Sequence, residues 1–172
     1  ALITNEGTLT YKELRNRVNQ AGNLLKSLGI QVGDRVAVLF PNDYRFLEIC
    51  FGLMAIGAIP VPLNAKLGPD ALAYIIRDSG SIMLTYHASF EEKVQSVHKQ
   101  YQLESYIVAG EKLNDSIAEK FYDEEVEKQP TILSIYKATP DELCYLPYTS
   151  GSTGNPKGCK LTHKGQYWNV QS

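Results

Sequence analysis

Residues 148–158 read YTSGSTGNPKG and hold the clearest chemical content of the chain: three glycines, two serines, two threonines, one proline and one lysine. Gly151, Gly154 and Gly158 can adopt positive φ and let backbone come close to a ligand, while free N–H groups and the hydroxyls of Thr149, Ser150, Ser152 and Thr153 can surround phosphate oxygens. Lys157 supplies the positive charge a polyphosphate needs. A flexible hairpin turn could share this composition. It would have no need of two threonines, a lysine beside a proline and three glycines at fixed offsets.

The pattern is not that of the Walker A loop, which requires GxxxxGK[ST] running into a helix. Gly151 and Gly154 lie three apart, Lys157 precedes Gly158, and Cys159 stands where a hydroxylated residue would follow. Pro156 holds Asn155 extended, so a strand, loop, strand arrangement is expected. Ser150 and Ser152 lie in neither a G-x-S-x-G elbow nor an S-x-x-K spacing, which argues against hydrolase chemistry. His163 falls at the start of a predicted helix, where capping or packing suits it, and His87 and His98 have no partner that spacing reveals.

The elements that would carry this loop alternate along the chain. Thr10 and Glu13 form a capping-box pattern before Leu14, Val18, Ala21, Leu25 and Leu28 at helical spacing, with Gly29 as the stop. Residues 36–40 are a short apolar run between turn residues, as in a strand covered on both faces. Asn42 or Asp43 can cap a helix to about Ile56, followed by a strand at 58–61. Pro69 opens a third helix and a strand at 82–85 follows. Ser89 and Glu92 repeat the capping-box pattern before a fourth helix, and residues 106–108 form the next strand. The spacing predicts an α/β fold, a doubly wound and largely parallel sheet with helices on both faces.

Residues 111–130 are dense in charge and are expected to be a solvated helix or excursion, with Asp123, Glu124 and Glu125 pointing to different sides of a helix rather than holding a metal. Residues 132–136 suggest an edge segment, 143–148 a strand entering the loop, and 158–161 the return strand before a helix capped by Thr162.

A length of 172 residues suits a single domain. A formal net charge of -2 gives no reason to expect nucleic acid or an acidic membrane as partner. Cys50, Cys144 and Cys159 lack metal-ligand spacing and fit reduced thiols, so a cytoplasmic location is expected. The apolar run at 46–63 contains Glu48, two glycines and two prolines, and reads as a buried helix and strand, not a transmembrane segment.

TSGSTGNPKG followed by LTHKG closely resembles the phosphate-binding signature of the adenylate-forming superfamily, which includes acyl-CoA and aryl-CoA synthetases. LTYKEL at 9–14, GDRVAVLFPN at 33–42 and GLMAIGAIPVPLN at 52–64 are similar to that family's opening blocks, in the same order. Cys159 departs from the aliphatic residue usual there.

The resemblance implies a two-step ligase in which a small-molecule carboxylate attacks the α-phosphate of ATP and a thiol, commonly that of coenzyme A, then takes the acyl group. Thr149, Ser150, Gly151, Ser152, Thr153, Gly154, Lys157 and Gly158 would bind the β- and γ-phosphates, Thr149 would also reach Mg2+, and Lys157 would act catalytically by neutralising the pyrophosphate leaving group.

Several parts implied by the family are not found: the aromatic-Gly-x-Thr-Glu block, an acidic ribose-binding residue, most of the acyl pocket, and a C-terminal domain with its lysine. Residues 1–172 are therefore expected to be a partial N-terminal domain, inert alone, whose uncovered sheet surface could drive self-association. VPLN at 61–64 resembles acyl-CoA synthetases more than the adenylation domains of peptide synthetases. A non-catalytic nucleotide-binding module or an interaction remnant are the readings outside enzymology.

Overall fold

The computed structural model describes residues 2–4, 7–150 and 154–171. A short antiparallel ribbon opens the chain, β1 (Leu2–Thr4) paired with β2 (Gly7–Leu9). Helix α1 (Tyr11–Ser27) starts at the capping box: Thr10 Oγ1 accepts from the Glu13 N–H at 3.2 Å, and Glu13 Oε2 accepts from the Thr10 N–H at 2.7 Å. Strand and helix then alternate through β3 (Arg35–Leu39), α2 (Tyr44–Ala55), β4 (Ile59–Pro62), α3 (Pro69–Ser79), β5 (Met83–His87), α4 (Glu91–Gln100), β6 (Ser105–Ala109), β7 (Lys120–Phe121) and α5 (Tyr122–Glu127).

Five of these strands form one sheet in the order β4-β3-β5-β6-β7, every neighbour parallel. Because side chains alternate along a strand, each central strand feeds two cores. Val36, Val38, Met83, Ile107 and Ala109 face α1, α2 and α5. Ala37, Leu39, Leu84, Tyr86 and Val108 face α3 and α4. The doubly wound parallel sheet expected from the sequence is therefore present. On the first face α1 and α2 come unusually close, since a Cβ on Gly52 would lie 2.9 Å from the Gly22 nitrogen.

Edge strand β4 contains two prolines at alternate positions. The N–H groups of Ile59 and of Leu63, the residue after β4, donate inward to Asp34 and Val38 carbonyls of the β3 side at 2.7 and 2.9 Å. Pro60 and Pro62 fall on the outward positions, where a missing donor costs the sheet nothing.

Three local expectations are corrected. Ser89 and Glu92 form no capping box: residues Ala88–Phe90 make a 3-10 turn in which His87 Nδ1 accepts from the Ser89 N–H at 3.2 Å, so the strand's last residue already fills the cap. Residues 132–136 do not pair as a strand. The stretch 129–132 lies along α1, where Gln20, Asn19 and Asn23 side-chain amides donate to the carbonyls of Gln129, Thr131, Pro130 and Ile132 at 2.7–3.0 Å. Nor is 111–130 wholly solvated, because Tyr122 and Val126 enter the core.

Tyr122 reaches Glu48, a carboxylate with no exposed surface on the apolar helix α2. Glu48 accepts from the Tyr122 hydroxyl at 3.1 Å and from Arg17 Nε. Burial lifts the Glu48 carboxyl above its ordinary range, with the Arg17 and Tyr122 hydrogen bonds pulling the other way. Next to it, Arg45 binds Asp123 at 2.6 Å and Asp43 at 3.1 Å, and Asp123 also accepts from the Gly110 N–H at 2.9 Å. The Arg17 and Arg45 guanidiniums lie 5.1 and 4.5 Å from the Tyr44 ring centroid. Glu124 and Glu125 pair elsewhere, with Lys112 and Lys128.

The chain continues through β8 (Leu143–Tyr145), β9 (Tyr148–Thr149), β10 (Lys157–Gly158), β11 (Leu161–Thr162) and α6 (His163–Gln171). Each strand expected here is split in two: β8 pairs with β11 and β9 with β10, as separate antiparallel ribbons. Between β8 and β9 the Leu146 N–H donates to the outward carbonyl of Pro60 at 3.1 Å, which hangs the ribbons from the edge of the main sheet.

Glu48→Ala leaves the Arg17 guanidinium and Tyr122 hydroxyl without their acceptor and should cost about 3 kcal/mol, read as a lower urea midpoint at unchanged slope. An unchanged midpoint would show that the network contributes nothing. A second expectation concerns the thiols: burial pushes Cys50 up to about 12 and raises Cys144 as well, whereas Cys159 is half-exposed. A thiol reagent at pH 8 should label Cys159 in the native chain and reach Cys50 and Cys144 only after unfolding, as peptide mass mapping would show.

Candidate functional site

The glycine-rich stretch closes as a hairpin. In the β9–β10 register Lys157 lies opposite Thr149 and Gly158 opposite Tyr148. Residues directly opposite in an antiparallel pair share a face. Thr149 and Lys157 therefore stand together on the exposed face of the ribbon, and Tyr148 and Gly158 lie on the other.

The second face is packed. The Tyr148 hydroxyl donates to Asp78 Oδ2 at 2.7 Å, joining the ribbon to the last turn of α3. Burial, then the Asp78 carboxylate, pushes the Tyr148 phenol well above its usual range. Gly158 fits closely against this face: a Cβ there would lie 3.2 Å from Tyr148 Cζ and from Leu146 Cδ1, so those side chains would have to give by a few tenths of an ångström. Beyond it, the Cys159 N–H donates to the Pro147 carbonyl at 2.8 Å, and Thr149 Oγ1 lies 3.7 Å from Cys159 Sγ.

Of the loop residues singled out from the sequence, Gly151, Ser152 and Thr153 lie outside the described residues. Thr149, Ser150, Gly154, Lys157 and Gly158 are exposed around the hairpin, and Gly154 has φ of 100°, the left-handed region that favours glycine. The exposed face of the ribbon thus presents the Thr149 hydroxyl and the Lys157 ammonium side by side, a donor pair suited to an anion with several oxygens. Thr149 offers one neutral oxygen, which fits Mg2+ only as a ligand to an ion whose other positions are filled by water and phosphate. Among the described residues no group of three His, Cys, Asp or Glu side chains could hold a metal.

The histidines have structural partners that spacing did not reveal. His87 caps the turn after β5, while His98 Nδ1 lies 2.9 Å from the Tyr106 hydroxyl with the two rings edge to face. Asp78 was missed as well: it sits 70 residues from Tyr148, and no local pattern links them.

A cleft of about 710 Å³ adjoins the ribbon at the carboxyl ends of β3 and β4. Phe40, Tyr44, Leu63 and Asn64 line it, with Pro147 and Tyr148 on the loop side. Open parallel sheets characteristically bind ligands beyond their strands' carboxyl ends. Tyr148 borders both the cleft and the hairpin. No helix among the described residues is long and apolar enough to cross a membrane.

Comparison with known proteins finds relatives that match nearly the whole chain. A feruloyl-CoA synthase from Amycolatopsis sp is 38% identical over 162 residues, 94% of this chain and 30% of that protein. The putative acyl-CoA ligase YdaB of Bacillus subtilis (strain 168) is 34% identical over 97% of this chain and 33% of its own length. The crystal structure of the anthranilate CoA ligase AuaEII in complex with anthranoyl-AMP superposes with a TM-score of 0.92 at 32% identity, covering 99% of this chain and 33% of that one. The chain thus spans about a third of the length of these relatives. The model of the AMP-binding enzyme family matches residues 1–172 in full, and the chain belongs to that family.

Proposed function

We propose that this chain carries the triphosphate-binding loop of an AMP-forming ligase, which activates a carboxylate as its acyl-adenylate and passes the acyl group to the thiol of coenzyme A. The observation that carries the reading is the pairing of Thr149 with Lys157 on the open face of the β9–β10 hairpin. Family membership and the relatives named as CoA ligases support it.

In the first step a carboxylate oxygen bonds to the α-phosphorus, the bond to the α,β-bridging oxygen breaks, and pyrophosphate leaves with the electron pair. Negative charge grows on the departing phosphates. Lys157 and the hydroxyls of Thr149 and Ser150 are held where they can meet that charge, which lowers the transition state more than the ground state. Gly151, Ser152, Thr153 and Gly154, which follow in the sequence, are proposed to contribute further contacts to the phosphates. Magnesium entering with ATP would neutralise further charge and take the Thr149 hydroxyl as one ligand. The tail of the carboxylate is proposed to be acyl or aryl, the classes named among the relatives.

Calorimetry of the purified chain should show magnesium-dependent ATP binding, weakened on the order of tenfold in Lys157→Ala by loss of a charge-assisted hydrogen bond. Equal affinity in the variant, or no binding in the wild type, would remove the loop from this role. Carboxylate-dependent ATP–pyrophosphate exchange by residues 1–172 alone should be absent, because they span about a third of the length of the ligases they match.

A further inference from the structure

The β9–β10 ribbon is too small to hold itself. Its strands have two residues each and stand apart from the five-stranded sheet. A hairpin of that size is marginal in water without packing against something else. Two backbone bonds near its root, Leu146 N–H to Pro60 and Cys159 N–H to Pro147, fix where the chain enters and leaves. Neither fixes the rotation of the ribbon about its own axis, and that rotation decides where Thr149 and Lys157 point.

We infer that Asp78, acting through Tyr148, is the positioning residue that sets the orientation of Thr149 and Lys157; this rests on the nucleotide-binding function proposed above. Tyr148 and Thr149 are consecutive on a strand, so holding one on its face directs the other to the opposite face. The hold on Tyr148 gathers at the hydroxyl-bearing end of the ring, where two contacts meet. Its hydroxyl donates to a carboxylate at 2.7 Å, and its edge rests over Gly158, the residue opposite it on β10. Asp78 is itself well fixed. It belongs to α3, whose Leu72, Ile75 and Ile76 are buried in the core and whose end is closed by Gly80 in the left-handed conformation. Tyr74, one turn earlier, places its hydroxyl 3.5 Å from the other oxygen of Asp78. A rigid path thus runs from the core through α3, Asp78 and the Tyr148 ring to both strands of the hairpin. A charge-assisted hydrogen bond suits this task because it is short and directional.

Cys159 reports on the ribbon from within, since Thr149 Oγ1 lies 3.7 Å from its sulfur while the other two cysteines are buried. The test compares the wild-type chain with Asp78→Ala, Tyr148→Phe, their double variant and Asp78→Asn, which keeps an acceptor oxygen. Two quantities are measured: the rate at which a disulfide reagent labels Cys159 without nucleotide, and the Kd for MgATP. Asp78→Ala and Tyr148→Phe should each raise the labelling rate several-fold and weaken MgATP by about tenfold. The double variant should be no worse than either single one, and Asp78→Asn should stay within about twofold of wild type.

Wild-type labelling rates in both single variants, or additive effects in the double, would overturn the inference. If the wild type itself does not bind MgATP, the nucleotide reading fails, while the labelling rates still decide whether Asp78 orients the ribbon. Labelling of Cys50 or Cys144 in Asp78→Ala would signal unfolding, and the Cys159 rate in Tyr148→Phe, which removes only one oxygen, then decides between the two outcomes.

Discussion

A parallel sheet must be covered on both sides, and most of this structure follows from that requirement. Val36, Ala37, Val38 and Leu39 are all without exposed surface, so β3 can exist only between two layers of helices. Helices α1, α2 and α5 supply one layer, α3 and α4 the other. With both faces occupied, the carboxyl ends of the strands are where irregular chain can gather. The cleft and the glycine-rich hairpin lie there, beside the ends of β3 and β4.

What could be read from the sequence tracks how local the underlying physics is. The α1 capping box, the α2 cap at Asn42 or Asp43, which falls on Asp43, and the Pro69 helix start are set by neighbours a few residues apart, and each was legible. The two-sided burial of β3 was legible because an uninterrupted apolar run fits few other arrangements. The hairpin form of 148–158 followed from Pro156 and the glycines. Ser89 and Glu92 misled because the cap is supplied by His87, whose place at the end of β5 no capping pattern encodes. Residues 132–136 suggested an edge segment, yet they pair with no strand, and the carbonyls of 129–132 leading into them are satisfied by three amide side chains of α1 more than 100 residues earlier. Asp78 and Tyr148 belong to the same class of long-range pairing, which a single sequence cannot display.

The acidic segment after β6 shows how composition can hide structure. Its charges suggested solvent, and Glu124 and Glu125 do form exposed pairs. Asp123, beside them, turns inward to Arg45 and Gly110, and Tyr122 covers the buried Glu48. Arg17, Arg45 and the Tyr44 ring between them complete a polar seam that joins α1, α2 and α5. Every carboxylate in that seam has a named donor, which is the condition for a buried charge to be tolerated at all. Placing Glu48 in a helix as apolar as α2 is costly on its own, and α5 is the element that meets the cost by bringing Tyr122 to it.

The prolines of β4 give the outer edge of the sheet a one-way character. At Pro60 and Pro62 the chain has carbonyls and no N–H groups, so on those positions the edge can accept hydrogen bonds and never return them. A further strand laid alongside would find half of its own acceptors unanswered, and growth of the sheet in that direction is blocked by chemistry, not by bulk. A single incoming N–H can still be taken, and Leu146 provides it. The edge thus selects for a visiting segment that touches once and turns away, and such a segment is what carries the chain from the sheet into the glycine-rich hairpin.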